Sequence, residues 1–461
     1  MTGLEQAVVV FAAAPPRVPE GPLTWGQRLM WRATHLMGGS RAFLNCPWVL
    51  PVYGRREPAD VLGGLRALLE RHESLRTTFV AGPEGPVQRV AATGELPVAL
   101  TVPEPGESAL RAAARVAADL GRVPFDHGRD LPLRCSLVLK DGRPKAVALA
   151  FSHLAVDYQA LSLLAAEWKA LLRGEELPPP SWQPADQVEL ERSPVFLARS
   201  ARSLAYWRPV LEEVPLEVFD HAPGEPEDPR FIEVELESVA LAAAATALAA
   251  RWTLSTTSVL LAACAAVLAT ASGRERAVMQ LVHGNRRDPR TRGLVATVGQ
   301  DALFVLDLAE QDFAALCRAA HRNALTAYRN ACYDPYAMQA MREEVGRRRG
   351  REPDLDAFFN DRRGTGEWPS LPAAAPPSRT SVRDAWPGVR FKAFFTVGTA
   401  PDTGQLSLIA DTAYLGRETA RAMLLAVESL LVRAVREDVP MAGAARLCGM
   451  PRPGGLPAAS R

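Results

Sequence analysis

A histidine and an aspartate four residues apart, His153 and Asp157, are the residues in this sequence whose types and spacing suggest catalysis. An unperturbed imidazole changes charge near neutral pH, so it can take a proton from an attacking amine or hydroxyl, or hydrogen-bond to a substrate. The structural alternative is a buried histidine with satisfied hydrogen bonds, followed by an aspartate that caps a helix. A two-residue pattern does not decide between these interpretations.

The pair lies at the junction of a predicted strand and a predicted helix. Residues 146–151 form an unbroken apolar run, which is typical of a strand buried inside a sheet. From Tyr158 to about Arg173, apolar residues recur at helical spacing. His153 should therefore emerge from the core at the carboxyl end of a central strand. A hairpin partner for that strand is predicted over 131–139, because Asp141-Gly142 is a strong turn signal.

The whole chain sets limits on function. A length of 461 residues predicts two domains. Hydrophobic residues at 48% and charged residues at 23% indicate a globular protein, and a net charge of +1 argues against a nucleic-acid partner. No apolar run reaches the ~20 residues of a membrane span, so no membrane partner is expected. The six cysteines are far apart, which predicts neither a metal site nor disulfides and favours a cytoplasmic location.

Other segments have predictable local structure. Thr24 and Gln27 have the spacing of a capping box that opens a helix. The proline-rich stretch from Leu177 towards Pro194 is predicted to be a linker, and residues 364–388 are predicted to form a long loop. Later in the chain, helices are predicted over 239–252, 256–271, 313–328 and 418–436.

Several motifs follow one another in the order of a known family. The motifs are Thr24-x-x-Gln27-x-x-x-Trp31, Arg71-His72-Glu73-Ser74-Leu75-Arg76-Thr77-Thr78-Phe79, Pro124-Phe125-Asp126, Ser152-His153-x-x-x-Asp157-Tyr158 and Gly284-Asn285-Arg286. On these motifs the chain resembles the condensation domains of nonribosomal peptide synthetases, which belong to the chloramphenicol-acetyltransferase-like superfamily. The resemblance extends from about Val8 to Val435.

The resemblance implies a fold and a domain organisation. The expected fold is α/β, an α+β sandwich of two chloramphenicol-acetyltransferase-like lobes arranged as a V with a central tunnel. The amino-terminal lobe would span 1–176 and carry the S-H-x-x-x-D motif. The carboxyl-terminal lobe would span 177–449. The composition of the residues beyond Gly449, mostly Pro, Gly, Ala and Arg, predicts a disordered tail over 450–461.

The resemblance also implies roles for individual residues. His153 would be the catalytic histidine in the tunnel, and Asp157 would be structural and paired with an arginine, for which Arg286 is the candidate. Ser152 stands where the family has the first histidine of its His-His-x-x-x-Asp-Gly motif. Tyr158 stands in place of the glycine, where it either narrows the donor side of the substrate channel or points into the core.

The expected function is that of a free-standing condensation enzyme. It would join a carrier-bound acyl or peptidyl thioester to an amine, or to a hydroxyl, in natural-product biosynthesis. Donor and acceptor carrier proteins would act in trans as partners of a monomer, with their phosphopantetheine arms as substrates. A coenzyme A thioester and a small-molecule acceptor are further options, and neither a bound cofactor nor a metal is expected. The alternative is a catalytically degenerate domain that recruits a tailoring enzyme to a carrier-bound peptide.

Overall fold

The structure is a computed structural model that describes residues 6–36, 42–309, 312–364, 367–368, 371, 375–385 and 391–441. The chain forms two compact units. The first comprises residues 1–197 and 284–300, and the second comprises 198–283 and 301–461. The first unit thus extends past the predicted boundary at 176/177 and includes a segment from the second half of the chain. The predicted tail at 450–461 lies outside the described residues.

The first unit combines two antiparallel-rich sheets with helices. Its five-stranded sheet has the order β1-β6-β7-β8-β3, and its three-stranded sheet has the order β2-β5-β4. The elements in chain order are β1 (Gln6–Ala12), β2 (Glu20–Pro22), α1 (Trp25–Leu36), β3 (Asn45–Pro51), α2 (Pro58–Arg71), β4 (Thr77–Val80), β5 (Val87–Val90), β6 (Thr93–Thr101), α3 (Ala109–Gly121), β7 (Leu133–Lys140), β8 (Arg143–Ser152), α4 (Tyr158–Leu172) and α5 (Pro184–Glu191). Helix α6 (Pro194–Glu213) begins in this unit and continues into the second.

Strand β8 is an interior strand, as its apolar run predicts. It pairs antiparallel with β7 on one side and with β3 on the other. The hairpin between β7 and β8 turns at Asp141 and Gly142, which have positive φ angles of 54° and 72°. These left-handed conformations suit a two-residue hairpin and confirm the turn prediction. Helices α2 and α4 cover one face of the sheet, where Trp168 and Phe151 belong to the same buried apolar cluster.

The second unit is built on a seven-stranded mixed sheet. The strand order is β11-β10-β12-β14-β15-β9-β13, with β10, β12 and β14 parallel and the pairs from β14 to β13 antiparallel. The elements are β9 (Phe231–Ser238), α7 (Val239–Trp252), α8 (Thr256–Ala271), β10 (Arg276–His283), β11 (Gln300–Asp307), α9 (Phe313–Arg329), α10 (Pro335–Arg349), β12 (Ala357–Asp361), β13 (Arg379–Asp384), β14 (Ala393–Val397), β15 (Gly404–Asp411) and α11 (Arg417–Arg436).

Two predicted irregular segments contain regular structure. The linker prediction is wrong over Pro184–Glu191, which is helix α5. The side chains of Gln183 and Asp186 form a reciprocal capping box there, and Pro184 occupies the first turn, where proline fits a helix. The loop prediction over 364–388 is wrong at Arg379–Asp384, which is strand β13. That strand lies at the edge of the sheet and is almost wholly exposed, so it lacks the apolar alternation that signals a strand.

The mixed α/β character of both units confirms the predicted fold class. Among the described residues, no single helix has the length and apolar character to cross a membrane; α7 and α8 satisfy that test only when taken together, as a pair bent by 112°.

Candidate functional site

The His153 backbone lies in a tight turn between β8 and α4. Its N–H donates to the Leu44 carbonyl at 3.2 Å, and the Ala155 N–H donates to the Ser152 carbonyl at 3.0 Å. The Thr297 hydroxyl donates to the His153 carbonyl. The Ser74 hydroxyl donates to the Ala155 carbonyl at 2.6 Å. Contacts from several distant segments therefore fix the backbone from which the imidazole projects.

The His153 imidazole is half-buried and held in one tautomer. Its Nδ1 lies 2.7 Å from the carbonyl oxygen of Val156. A carbonyl can only accept, so Nδ1 must carry a proton, and in the neutral ring Nε2 then presents a lone pair. A base needs this arrangement, with one nitrogen anchored and the other able to take a proton.

Asp157 satisfies the capping interpretation and pairs with Arg286 as well. Its Oδ1 accepts the Ala160 N–H at 2.8 Å, which makes it the N-cap of α4. Nη2 of Arg286 donates to Oδ1 at 2.7 Å and to Oδ2 at 2.9 Å. The two side chains are only 11% and 6% exposed, respectively. The structure thus brings Asp157 and Arg286 together, 129 residues apart in the chain.

Arg286 also organises the segment 284–300 around itself. It donates to the carbonyls of Thr291 at 2.5 Å, Leu294 at 2.7 Å and Ala296 at 2.9 Å. The Thr24 hydroxyl donates to the Thr297 carbonyl at 3.0 Å, so the same segment is attached to the start of α1. Gly26 permits this approach, because a Cβ at that position would lie 2.6 Å from the Thr297 oxygen.

The capping box at Thr24 and Gln27 is confirmed. The Thr24 N–H donates to Gln27 Oε1 at 2.9 Å, and the Gln27 N–H donates to the Thr24 hydroxyl at 3.2 Å. The box uses the Thr24 oxygen as acceptor and leaves its proton for the Thr297 carbonyl. One threonine therefore starts the helix and fixes the segment whose Thr297 side chain contacts His153.

Ser152 contacts an imidazole from another part of the chain. Its hydroxyl oxygen lies 2.9 Å from Nε2 of His127 and accepts the Leu154 N–H at 3.3 Å. His127 belongs to the turn after Phe125, on which its ring stacks with centroids 6.3 Å apart. The serine that replaces the first motif histidine is therefore only 1% exposed and adjoins a histidine that the sequence analysis did not single out. The histidine beside Pro124-Phe125-Asp126 was the available signal.

Tyr158 is the first residue of α4, and its ring is half-buried against β3. The ring meets that of Trp48 edge to face, with centroids 5.9 Å apart and planes at 82°. An aromatic pair with this geometry contributes about 0.5–1.5 kcal/mol beyond the area it buries. This contact gives the tyrosine a packing role within the first unit.

The Arg71–Phe79 motif contacts α4, the helix that follows the His153 turn. Nε2 of His72 lies 2.5 Å from the Glu167 carboxylate, and Arg71 donates to the same carboxylate at 3.1 Å. Burial raises the pKa of Glu167, but the hydrogen bonds and charges of His72 and Arg71 outweigh it and hold that pKa below its ordinary value. The motif thus joins the end of α2 to the middle of α4, the helix that Asp157 caps. Sequence reasoning missed Glu167, which shows only as a polar residue in an amphipathic helix.

Comparison with family models identifies the class of protein. The condensation domain model matches residues 19–360, about three quarters of the chain. The chain belongs to the condensation domain family. Condensation domains are in general acyltransferases that form amide bonds, and those of nonribosomal peptide synthetases work with carrier proteins that bear phosphopantetheine.

Curated relatives are much longer proteins. Chondramide synthase cmdD of Chondromyces crocatus is 30% identical over 227 residues, which are 46% of this chain and 6% of that protein. Phosphinothricin tripeptide synthetase PhsC of Streptomyces viridochromogenes is 31% identical over 224 residues, which are 44% of this chain and 20% of that protein. The chain therefore spans only a small part of these relatives.

Solved structures share the fold at low sequence identity. The X-domain from teicoplanin biosynthesis superposes with a TM-score of 0.71 at 19% identity, covering 93% of this chain and 98% of that one. A structure that describes condensation domain-mediated chain release from the enacyloxin polyketide synthase has a TM-score of 0.69 at 20% identity. The match covers 92% of this chain and 84% of that one. A complex of the X-domain and OxyB from teicoplanin biosynthesis has a TM-score of 0.66 at 18% identity, covering 93% and 96%.

Proposed function

We propose that the chain is a condensation enzyme that joins a carrier-bound acyl or peptidyl thioester to an amine acceptor, with His153 as its general base. The observation that carries this proposal is the tautomer of the imidazole. Because Nδ1 donates to the Val156 carbonyl at 2.7 Å, the neutral ring keeps its lone pair on Nε2. The contacts to the surrounding turn fix the direction in which that lone pair points.

The proposed reaction is balanced by one proton moving through the imidazole. The acceptor nitrogen attacks the thioester carbonyl carbon, so a C–N bond forms and the C–S bond breaks. Nε2 of His153 accepts the proton that the nitrogen loses and delivers it to the departing thiolate. The Nδ1–H bond to Val156 stabilises the imidazolium between these steps. A hydroxyl acceptor would follow the same steps and give an ester.

Asp157 and Arg286 act as positioning residues in this proposal. Asp157 caps α4 and pairs with Arg286, so neither group is available to exchange protons with a substrate. Together they fix the helix start that closes the His153 turn. Tyr158 packs against Trp48 beside that turn.

Carrier proteins bearing pantetheine arms are the proposed partners, because family members of the nonribosomal peptide type work with them. A coenzyme A thioester presents the same pantetheine thioester without a carrier, so it is the simplest donor substitute. A free amine is the corresponding substitute on the acceptor side.

The test is an intact-mass assay with acyl-loaded and aminoacyl-loaded carrier proteins. His153→Ala should reduce product by at least about 100-fold, the usual contribution of a general base. His221→Ala is the matched control, because it removes a half-buried histidine from the second unit, where its ring packs on Phe219. Product formation by His153→Ala at the rate of the unaltered chain would overturn the assignment.

Recruitment of a tailoring enzyme to a carrier-bound peptide is the second candidate function. One observation favours it: Ser152 and Tyr158 differ from the motif that the family resemblance implies. This function predicts no amide or ester product with any loaded carrier, together with binding of an oxygenase. That binding should be the same for His153→Ala and for the unaltered chain, which separates the two candidates in one set of samples.

A further inference from the structure

A cavity of about 630 Å³ opens in the first unit beside the turn 124–128. One face of α1, the end of β4 and that turn form its walls. Its volume lies within the range of about 300–1,000 Å³ that is typical of small-molecule sites. His153 is not among the described residues that line it, so the cavity is a feature separate from the proposed base.

Aromatic side chains form most of the apolar wall. Trp31, Phe79 and Phe125 line the cavity, and the His127 ring stacks on Phe125. Phe79 and Phe125 are buried, and the Phe79 N–H donates to the His127 carbonyl at 2.7 Å. The wall is therefore built from fixed rings, which suits a flat, apolar ligand group.

Two polar side chains that line the cavity, His35 and Asp126, present hydrogen-bond acceptors. Nδ1 of His35 lies 2.7 Å from the Trp31 carbonyl oxygen, so it carries a proton and Nε2 of the neutral ring is an acceptor. Asp126 adds a carboxylate, whose Oδ1 accepts the Gly128 N–H at 3.1 Å. This lining favours a ligand that donates hydrogen bonds.

The charge of the residues that line the cavity also favours a ligand that donates hydrogen bonds. Of the described residues that line the cavity, Asp126 carries a fixed charge, and none is a lysine or an arginine. Arg129 lies 4.0 Å from Asp126, and the two side chains are 87% and 59% exposed, so solvent weakens the interaction between them. Arg134 lies 4.0 Å from the centroid of Phe125 and pairs with Asp130, outside the lining. A carboxylate ligand would meet no cation in the wall, whereas an ammonium would meet Asp126 and the face of Trp31.

We propose that this cavity binds an arylalkylammonium ion, which places its aromatic ring beside Trp31 and its charged nitrogen towards Asp126 and His35. Binding requires no reaction at His153, so the inference goes beyond the proposed function. The site adjoins the candidate catalytic turn through one residue, because His127 lines the cavity and contacts Ser152. Occupancy should therefore change the surroundings of the His127 ring.

Calorimetric titration with two probes of the same ring and opposite charge tests the ligand class. Tyramine should bind, and 4-hydroxyphenylacetate should bind at least about fivefold more weakly, because a cation gains from the aromatic face and the carboxylate. Binding of tyramine should also shift the His127 ring signals in nuclear magnetic resonance spectra. Equal affinity for the two probes, or heat from neither, would overturn the proposal.

Variants locate the site. Asp126→Asn should reduce the preference for tyramine, whereas Asp119→Asn, which alters an exposed carboxylate outside the lining, should leave it unchanged. Trp31→Ala should weaken tyramine binding by about fivefold or more. His35→Leu repeats that test at an exposed residue where folding is not at risk. Undiminished binding in both variants would contradict the location.

His153→Ala should bind tyramine normally even if it no longer transfers an acyl group. Failure of the cavity proposal and failure of the proposed function are therefore distinguishable.

Discussion

Each unit contains a buried aspartate–arginine pair after a strand, and the two pairs are built differently. In the first unit, Asp157 pairs with Arg286, 129 residues away, at 2.7 Å. In the second, Asp361 ends β12 and pairs with Arg363, two residues away, at 2.5 Å. Both pairs are nearly shielded from solvent, with side chains between 3% and 11% exposed.

The two pairs differ in the segments that each one connects. Arg286 also donates to three carbonyls, and Asp157 also caps α4, so the first pair joins two distant segments beside His153. Arg363 instead stacks on Trp368 at 3.9 Å, and Asp361 accepts the Thr257 hydroxyl at 2.7 Å. The second pair closes a local turn. A long-range pair can fix the His153 turn because breaking it frees two segments, while a local pair leaves its strand in place.

Breaking the long-range pair should have the largest effect on stability. Arg286→Ala leaves the Asp157 carboxylate buried without its cation, which destabilises a protein by about 3–5 kcal/mol. Asp157→Ala removes the helix cap as well, so it should lower folded yield together with transfer activity. Urea denaturation of both variants measures the effect. Normal folding of Asp157→Ala with loss of turnover alone would show that the aspartate is not structural.

Breaking the local pair should have a smaller effect. Arg363→Ala should destabilise the chain by about 1–3 kcal/mol, because Asp361 keeps the hydrogen bond from Thr257 and the turn can relax towards water. Transfer activity per folded molecule should be unchanged, since the pair belongs to the second unit. If Arg363→Ala destabilises as strongly as Arg286→Ala, then the contrast between the pairs is wrong.

The sequence predicted the parts of the first pair better than the parts of the second. The Ser152–Asp157 motif and Gly284-Asn285-Arg286 were recognisable from the family resemblance, and Asp157 also follows the general rule for helix caps. Asp361 and Arg363 form no motif, and the strand before them is short. The family resemblance thus identified the long-range contact between Asp157 and Arg286, which residue spacing alone does not predict.

Local rules succeeded where a turn or a cap has its own signature. The Asp141-Gly142 hairpin and the Thr24–Gln27 capping box are examples, because each depends on residues within four positions. Strand β3 was missed because Pro47 and Pro51 argue against a strand. The two prolines are tolerated because β3 lies at the edge of its sheet. Helix α10 was missed because its arginine-rich sequence has weak apolar periodicity.

The His127–Ser152 contact could not be predicted for a different reason. The two residues are 25 positions apart, and neither type implies the other. The position of His127 depends on ring packing against Phe125 and Phe79, which only the folded turn provides. Side chains that support a site from a neighbouring turn leave little trace in a single sequence.

Two acidic side chains in the second unit should give it a pH dependence. Burial raises the pKa of Asp301 to about 6, and burial together with the nearby Asp354 carboxylate raises that of Asp356 to about 7. Their unfolded pKa values are about 3.9, so the folded chain binds more protons than the unfolded chain between about pH 4 and 7. These groups should therefore make stability fall as pH rises through this range, by about 1–2 kcal/mol after allowance for partial solvent exposure.

Asparagine substitution isolates the contribution of Asp301 to the pH dependence of stability. Asp301→Asn should reduce the slope of the stability profile between pH 4 and 7 and leave the part due to Asp356, whereas Asp384→Asn, which changes an exposed aspartate in the same unit, should leave the slope unchanged. Thermal unfolding at a series of pH values provides the measurement. An unchanged slope in Asp301→Asn would mean that this carboxyl titrates alike in both states.

The contact between His127 and Ser152 should be measurable as a coupling of about 1 kcal/mol. Ser152→Ala and His127→Ala each remove one partner of a partly buried hydrogen bond, so each should destabilise the chain, and the double variant should lose less stability than the sum of the two. Free energies of unfolding for the four proteins give the coupling. Strict additivity would indicate that the 2.9 Å contact contributes no stability.

The smallest expected effect belongs to Tyr158→Phe, at the position where the family resemblance implies glycine. Tyr158→Phe keeps the ring against Trp48 and should change stability by less than about 0.5 kcal/mol. Tyr158→Gly removes the edge-to-face contact and places a flexible residue in the first turn of α4, so it should lose about 1–2 kcal/mol. If the ring also limits the space for a donor, the glycine variant should accept bulkier acyl thioesters than the phenylalanine variant in the intact-mass assay. A glycine variant that is less stable but has the same donor range would restrict Tyr158 to packing.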